Sequence, residues 1–142
     1  MLRLQPHLVF DGQCEAAFRA YERVLRGSLY LLRYGETPMA ETVPPEWREK
    51  VVHATLQLGT HSLAGADVLP EEYKPPQGFH VLLSPSDPAE AERLFQALSA
   101  EGTVTMPLAK TFWSPAFGVL VDRFGIPWEI SCEATSSRTP AG

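Results

Sequence analysis

Two histidines stand in matching local settings, Pro6-His7-Leu8-Val9-Phe10 and Phe79-His80-Val81-Leu82-Leu83, and a carboxylate, Glu129, lies in the last apolar run before the C-terminal tail. Neutral imidazole and carboxylate together suit a borderline divalent cation, so His7, His80 and Glu129 form a candidate ligand set for Mn, Fe, Ni or Zn. Each histidine opens a short strand-like run that leads into a helical pattern. The chain therefore reads as a duplicated module whose halves each aim an imidazole at one shared place. The plainer reading of the same residues is three polar side chains on a solvated sheet face. No catalytic residue is assigned.

The elements that must position these groups follow from periodicity. Arg3 to Phe10 alternates Leu4, Leu8 and Phe10 against Arg3, Gln5 and His7, the period of a half-buried strand. Asp11-Gly12 turns the chain. From Cys14 to Leu25, the residues Ala17, Phe18, Tyr21, Val24 and Leu25 recur at helical spacing, with Gly27 as the stop. A strand over Ser28 to Tyr34 and a long Pro-containing loop over Gly35 to Lys50 come next, and a loop of that length is placed to lie over a site. Val51 to Leu58 alternates Val52, Ala54, Leu56 and Leu58 against His53, Thr55 and Gln57, and Gly59-Thr60 turns it into Ser62 to Asp67.

A Pro-rich break, Leu69 to Gln77, precedes a repeat of the series. Gly78 to Leu83 is a strand, Ser86-Asp87-Pro88 starts a helix through Leu98 that Gly102 ends, and Thr103 to Leu108 is a strand. Phe117 to Val121 and Pro127 to Cys132 form a hairpin across Asp122-Arg123-Phe124-Gly125. The fold class is thus α+β: two tandem βαβββ modules, residues 1–68 and 78–133, in one domain of curved, cup-shaped mixed sheets with one helix per module outside. Residues 134–142 form a polar tail expected to be disordered.

At 142 residues and 44% hydrophobic composition the chain has material for one substantial core or two small modules. A net charge of -5 without a Lys or Arg run gives no footprint for a phosphate backbone, so nucleic acid is excluded as an expected partner. No window approaches the roughly 20 apolar residues of a membrane span, and the start lacks a signal-peptide core. A cytoplasmic protein is expected. Cys14 and Cys132 lack a CxxC spacing and read as reduced, buried thiols.

The strings Pro6-His7-Leu8-Val9-Phe10-Asp11-Gly12, Glu15-Ala16-Ala17-Phe18, Val52-His53-Ala54, Met106-Pro107-Leu108, Thr111-Phe112-Trp113 and Asp122-Arg123-Phe124-Gly125-Ile126-Pro127-Trp128 resemble the vicinal oxygen chelate superfamily, and within it the PhnB-like branch that carries a demethylubiquinone methyltransferase label. The resemblance spans roughly Leu4 to Glu133. It implies a metal held by His80 and Glu129 in the second module and His7 in the first, and a homodimer binding an unknown small molecule. The fourth ligand of glyoxalase I would fall near Leu63 or Ala64, which cannot bind metal, and the pattern is closer to the three ligands of fosfomycin resistance proteins. The sequence has no G-x-G-x-x-G loop for a methyl donor, so the methyltransferase label has no support in the residues. The alternative function is a metal-free protein that sequesters a drug or metabolite in an aromatic-lined cup.

The remaining candidates line the same face. Gln5, His53, Thr55 and Gln57 are expected to wall a ligand pocket, with His53 supporting the ligands rather than joining them. Trp113, in a loop after a strand, is the aromatic expected at that pocket. Trp128 has the opposite parity to Glu129 and is expected under a helix. His61 sits in a hairpin turn and reads as a surface residue.

Overall fold

Cys14, Ala17, Phe18 and Tyr21 repeat at the i, i+3, i+4, i+7 spacing, and in the computed structural model, which describes residues 1–134, all four are buried on one face of helix α1 (Cys14–Leu25). The second helix, α2 (Pro88–Ser99), buries Ala91, Leu94, Phe95 and Leu98 at the same spacing. Its start follows the expected chemistry: Pro88 takes the first turn and the Asp87 carboxylate accepts from the Ala89 amide at 3.0 Å. Helix α1 has no such local cap. A distant carboxylate supplies it: Asp67 Oδ1 accepts from the Cys14 amide at 2.9 Å.

The chain divides into two compact units at Lys74 and Pro75, inside the expected Pro-rich break. In the first, β1 (His7–Phe10), β2 (Ser28–Arg33), β3 (Val51–Leu58) and β4 (His61–Asp67) form a sheet in the order β1-β4-β3-β2, with β1 parallel to β4 and the other pairs antiparallel. In the second, β5 (Val81–Leu83), β6 (Thr103–Ala109), β7 (Phe117–Val121) and β8 (Pro127–Ser131) repeat that topology as β5-β8-β7-β6, with β5 parallel to β8. The expected tandem βαβββ order and α+β class are therefore the observed ones. None of the described helices is long and apolar enough to cross a membrane. The tail expected over residues 134–142 lies, from Thr135 on, outside the described residues.

Each helix packs where the sheet below it lacks a side chain. A Cβ added at Gly65 would lie 2.5 Å from the Phe18 ring, and one at Gly118 would lie 2.6 Å from the Phe95 ring. Each phenylalanine thereby sinks onto its sheet, a burial worth about 1.5–3 kcal/mol. Gly27 and Gly102 act differently from the helix stops expected of them. The left-handed residues are Arg26 (φ 61°) and Glu101 (φ 60°), one position earlier. The glycines are needed because a Cβ at Gly27 would meet the Gln57 carbonyl oxygen at 2.5 Å and one at Gly102 would run into the Val121 carbonyl oxygen.

Both first strands are shorter than their alternation suggested. Strand β1 begins at His7, and Leu4 is 93% exposed with no helix above it, because Pro6 offers no amide and only its carbonyl pairs, with the Ala64 amide. Strand β5 begins at Val81, after Gly78 bends the chain at φ 83°, which leaves His80 just ahead of the ladder. The expected long loop over Gly35 to Lys50 is tightened into short 3-10 turns at Pro38–Thr42 and Pro45–Trp47, each opened by its proline.

The first unit is tied together by Asp67, 1% exposed at the end of β4. Its Oδ1 accepts from the Gly12 and Cys14 amides at 2.8 and 2.9 Å, and its Oδ2 accepts from the Val51 amide at 3.0 Å. The Tyr34 hydroxyl donates to its backbone oxygen at 2.6 Å. In Asp67→Asn one of these amides must face an NH2 group instead of an oxygen. Urea unfolding is expected to show a loss of about 2 kcal/mol for Asp67→Asn and a larger one, about 3 kcal/mol, for Asp67→Ala.

Candidate functional site

Residues opposed across a sheet share a face, so the registers place the candidates directly. In the first unit His7, Ala64 and Thr55 lie in one row across β1, β4 and β3, with Tyr30 of β2 beside Thr55. His53 and Gln57, two residues to either side of Thr55, share its face. Gln57 opposes Ser62, whose hydroxyl donates to Gln5 Oε1. The structure therefore brings His7, Gln5, His53, Thr55 and Gln57 onto one face, opposite the face that buries Leu8, Ala54 and Leu56 under α1.

That face is polar and carries no Asp, Glu, Lys or Arg at its paired positions. His53 Nε2 lies 3.0 Å from Thr55 Oγ1, which orients the ring. Gln57 Nε2 donates to the Gly59 carbonyl at 2.9 Å. Burial, and secondarily the charge of a protonated His53, hold the His7 imidazole below its ordinary pKa, so its neutral, metal-competent form is favoured.

In the second unit the row is Leu82, Glu129, Val119 and Met106, crossing all four strands. His80, two residues before Leu82, reaches the same side: its Nδ1 lies 3.9 Å from Glu129 Oε2, longer than a hydrogen bond. Both side chains are partly open to solvent. Around them the face is apolar, with Leu82 and Met106 about half exposed.

Glu129 faces outward because its neighbour is held inward. Trp128 is 0% exposed, and its indole Nε1 donates to the buried Asp122 carboxylate at 2.8 Å. The expected inward placement of Trp128 is the observed one. The other oxygen of Asp122 accepts from the Phe124 and Ile126 amides at 2.8 and 3.0 Å, which shapes the turn into β8.

Trp113 is carried on a braced turn. The buried Ser114 hydroxyl donates toward the Cys132 carbonyl at 2.7 Å, and the Ser114 amide donates to Thr111 Oγ1 at 3.1 Å. With its backbone so fixed, Trp113 packs edge-on against Phe117 of β7 at 5.1 Å between centroids, and Phe112 packs on Trp113 at 4.7 Å. Phe117 shares the face of Val119 and Glu129 and lies level with Ser131, so Trp113 stands over that face one step along β8 from Glu129.

A polar cavity of about 480 Å³ lies elsewhere in the first unit, lined by Gly12, Glu15, Arg33, Lys50 and Asp67 among others, and by none of the expected site residues. Its charges are largely mutually engaged. Arg33 donates to both oxygens of Glu15 at 2.8 and 3.0 Å and holds that carboxyl down at about 2, and Lys50 Nζ donates to the Gly12 carbonyl at 3.0 Å.

Sequence reasoning missed Asp67, Asp122 and Ser114, whose buried bonds set the geometry. Asp122 had a local signal, the Asp that opens an Asp-x-x-Gly turn. Asp67 had none, since its partners lie far away in sequence. The apolar members of the second face, Leu82, Val119 and Met106, were within reach of strand parity counted from Glu129.

Two four-stranded mixed sheets in tandem βαβββ order, each with one helix, define the glyoxalase-like α+β fold. The chain belongs to the family described as 3-demethylubiquinone-9 3-methyltransferase, whose model matches residues 3–131. It is 31% identical over 137 residues to Protein YjdN of Escherichia coli (strain K12), covering 90% of this chain and 93% of that protein. The crystal structure of protein PA1353 from Pseudomonas aeruginosa is 40% identical, with a TM-score of 0.86 over 94% of this chain and 98% of that one. The fosfomycin resistance protein FosX from Mesorhizobium loti shares the fold at 11% identity and a TM-score of 0.60, over 97% and 98% of the two chains.

The His7 and His53 coupling has a direct readout. In NMR titrations of the ring protons, His53→Gln is expected to raise the His7 midpoint toward its ordinary value without reaching it, because burial is the larger cause. An unchanged midpoint would contradict the placement of the two rings on one face.

Proposed function

We propose that this glyoxalase/bleomycin-resistance-like chain binds a small molecule on the open faces of its sheets, with His80 and Glu129 as the centre of the site. The observation that carries the proposal is the 3.9 Å between His80 Nδ1 and Glu129 Oε2 on a face whose row through Glu129 is otherwise apolar, Leu82, Val119 and Met106. In the enzyme form of this reading one divalent ion, Mn, Fe, Ni or Zn, would take His80 and Glu129 as ligands with Trp113 beside the ligand, while His7, Gln5, His53, Thr55 and Gln57 offer hydrogen-bonding groups on the first unit's own face. Two bonds near 2 Å at a tetrahedral angle hold their donors about 3.3 Å apart, so the His80 and Glu129 donors, 3.9 Å apart, would close by about 0.6 Å to share one ion. A bound ion supplies Lewis-acid stabilisation of an enolate or oxyanion on adjacent substrate oxygens. The chain's own part is to set the donors: His80 by the start of β5, Glu129 by the inward anchoring of Trp128.

A second reading is a metal-free protein that sequesters a drug or metabolite, supported by the half-exposed Leu82, Met106 and Trp113 on the second unit. Among the described residues no group of three or more His, Cys, Asp or Glu is gathered, so the enzyme form rests on His80 and Glu129. In either form the exposed edge strands and the uncovered apolar face suit a homodimer, and the two free, buried cysteines suit a reducing, cytoplasmic setting. The methyltransferase activity in the family's description is not carried over, because the chain has no methyl-donor loop of the G-x-G-x-x-G kind.

Thermal melting separates the two forms. If an ion binds, the melting temperature of the native protein should rise by about 6–10 °C with Mn, Ni or Zn at a hundredfold excess over Kd. The gain should vanish in His80→Ala and Glu129→Gln. No shift with any divalent ion would leave the metal-free reading.

A further inference from the structure

The electrostatics of the second unit's open face narrow the ligand class. Glu129 is the one carboxylate on the row Leu82, Glu129, Val119 and Met106, and no Lys or Arg occupies a paired position on that face of the four strands. Among the described residues the basic group within ion-pair distance of it is the His80 imidazole at 3.9 Å, too far for a hydrogen bond. The side chain is only 31% exposed, so water solvates the carboxylate incompletely, and no Lys or Arg of the described residues lies within ion-pair distance of it. A carboxylate left in this state on an apolar surface favours a cationic guest over a neutral one, and a neutral one over an anion.

The surroundings specify the rest of the guest. Leu82 and Met106 expose 55% and 48% of their surface to either side of the carboxylate. Phe117 follows Val119 on the same face of β7, Trp113 packs edge-on against it, and Trp113 remains 48% exposed on a turn braced by Ser114. A braced aromatic ring gives contact area at small entropic cost.

We propose that the ligand of this face is a lipophilic amine whose ammonium group is held by Glu129 and whose flat apolar body lies along Leu82, Val119 and Met106 toward Trp113. This rests on reading the face as the ligand site and takes its metal-free form, in which the amine itself compensates the carboxylate. No bond is made or broken. Binding joins an ammonium hydrogen-bond donor to the two carboxylate oxygens and removes apolar surface from water.

An isosteric trio tests the assignment on chelator-treated, full-length protein: phenylpropylamine, phenylpropanol and phenylpropionate, each titrated while the amide NMR signals of Leu82, Val119 and Glu129 are followed. The amine should bind about tenfold more tightly than the alcohol, and the acid more weakly than the alcohol. Glu129→Gln should erase the amine's advantage over the alcohol, while Trp113→Ala should weaken all three and keep their order. Equal binding of the three, or an amine preference that survives Glu129→Gln, would overturn the amine assignment and leave the face as a ligand site. If none of the three moves those signals, the ligand-site reading of the face falls, and this inference with it.

Discussion

The bond between the Trp128 indole and the Asp122 carboxylate, buried and 2.8 Å long, is the constraint on which the site depends. A strand's side chains alternate, so fixing one residue inward fixes its neighbours outward. With Trp128 locked under α2, Glu129 must face out, and the parallel pairing of β5 with β8 then sets Leu82 beside it and His80 within 3.9 Å. The same carboxylate accepts from the Phe124 and Ile126 amides and so fixes where β8 begins. A slip of one residue would bury the carboxylate and expose the largest ring in the core. That cost makes the register unambiguous.

The two units share a frame and differ in what they display. Each packs a helix by four residues at i, i+3, i+4 and i+7, sinks a phenylalanine over a glycine, and leaves its helix through a left-handed residue followed by a glycine pressed against backbone. Each also closes on a buried aspartate that gathers backbone amides, Asp67 in one and Asp122 in the other. On the open faces the likeness ends. The first unit presents hydrogen-bonding groups without a carboxylate, His7, His53, Thr55 and Gln57, whereas the second presents one imidazole and one carboxylate beside Leu82, Val119, Met106 and Phe117. Packing restricts the covered faces, and the open ones are free to carry different chemistry.

Much of the frame was legible in the sequence because its signals are local. Strong periodicity placed α1 at Cys14–Leu25 and β3 at Val51–Leu58, the bounds observed, and strand parity put Trp128 inside and His53 outside. Pro6 and Gly78 shortened two strands whose alternation ran past the point where a ladder partner exists. Gly27 and Gly102 looked like helix stops, whereas their constraint is contact with Gln57 and Val121 on another strand. The grip of Asp67 on Gly12, Cys14 and Val51 was invisible for the same reason: its partners lie 55, 53 and 16 residues away. The apposition of His80 and Glu129 needed the β5 and β8 pairing, which residue spacing alone does not specify.

On the reading proposed above, this protein meets its ligand on the face centred on His80 and Glu129. Crystals of protein purified without chelator, soaked individually with a set of small polar and aromatic fragments, test it most directly. The account predicts that bound fragments cluster along Leu82, Glu129, Val119 and Met106, with a polar atom or an ion within about 3 Å of the Glu129 carboxylate. Fragments that gather instead in the cavity beside Glu15, Arg33 and Lys50, leaving the His80 and Glu129 face bare, would contradict it.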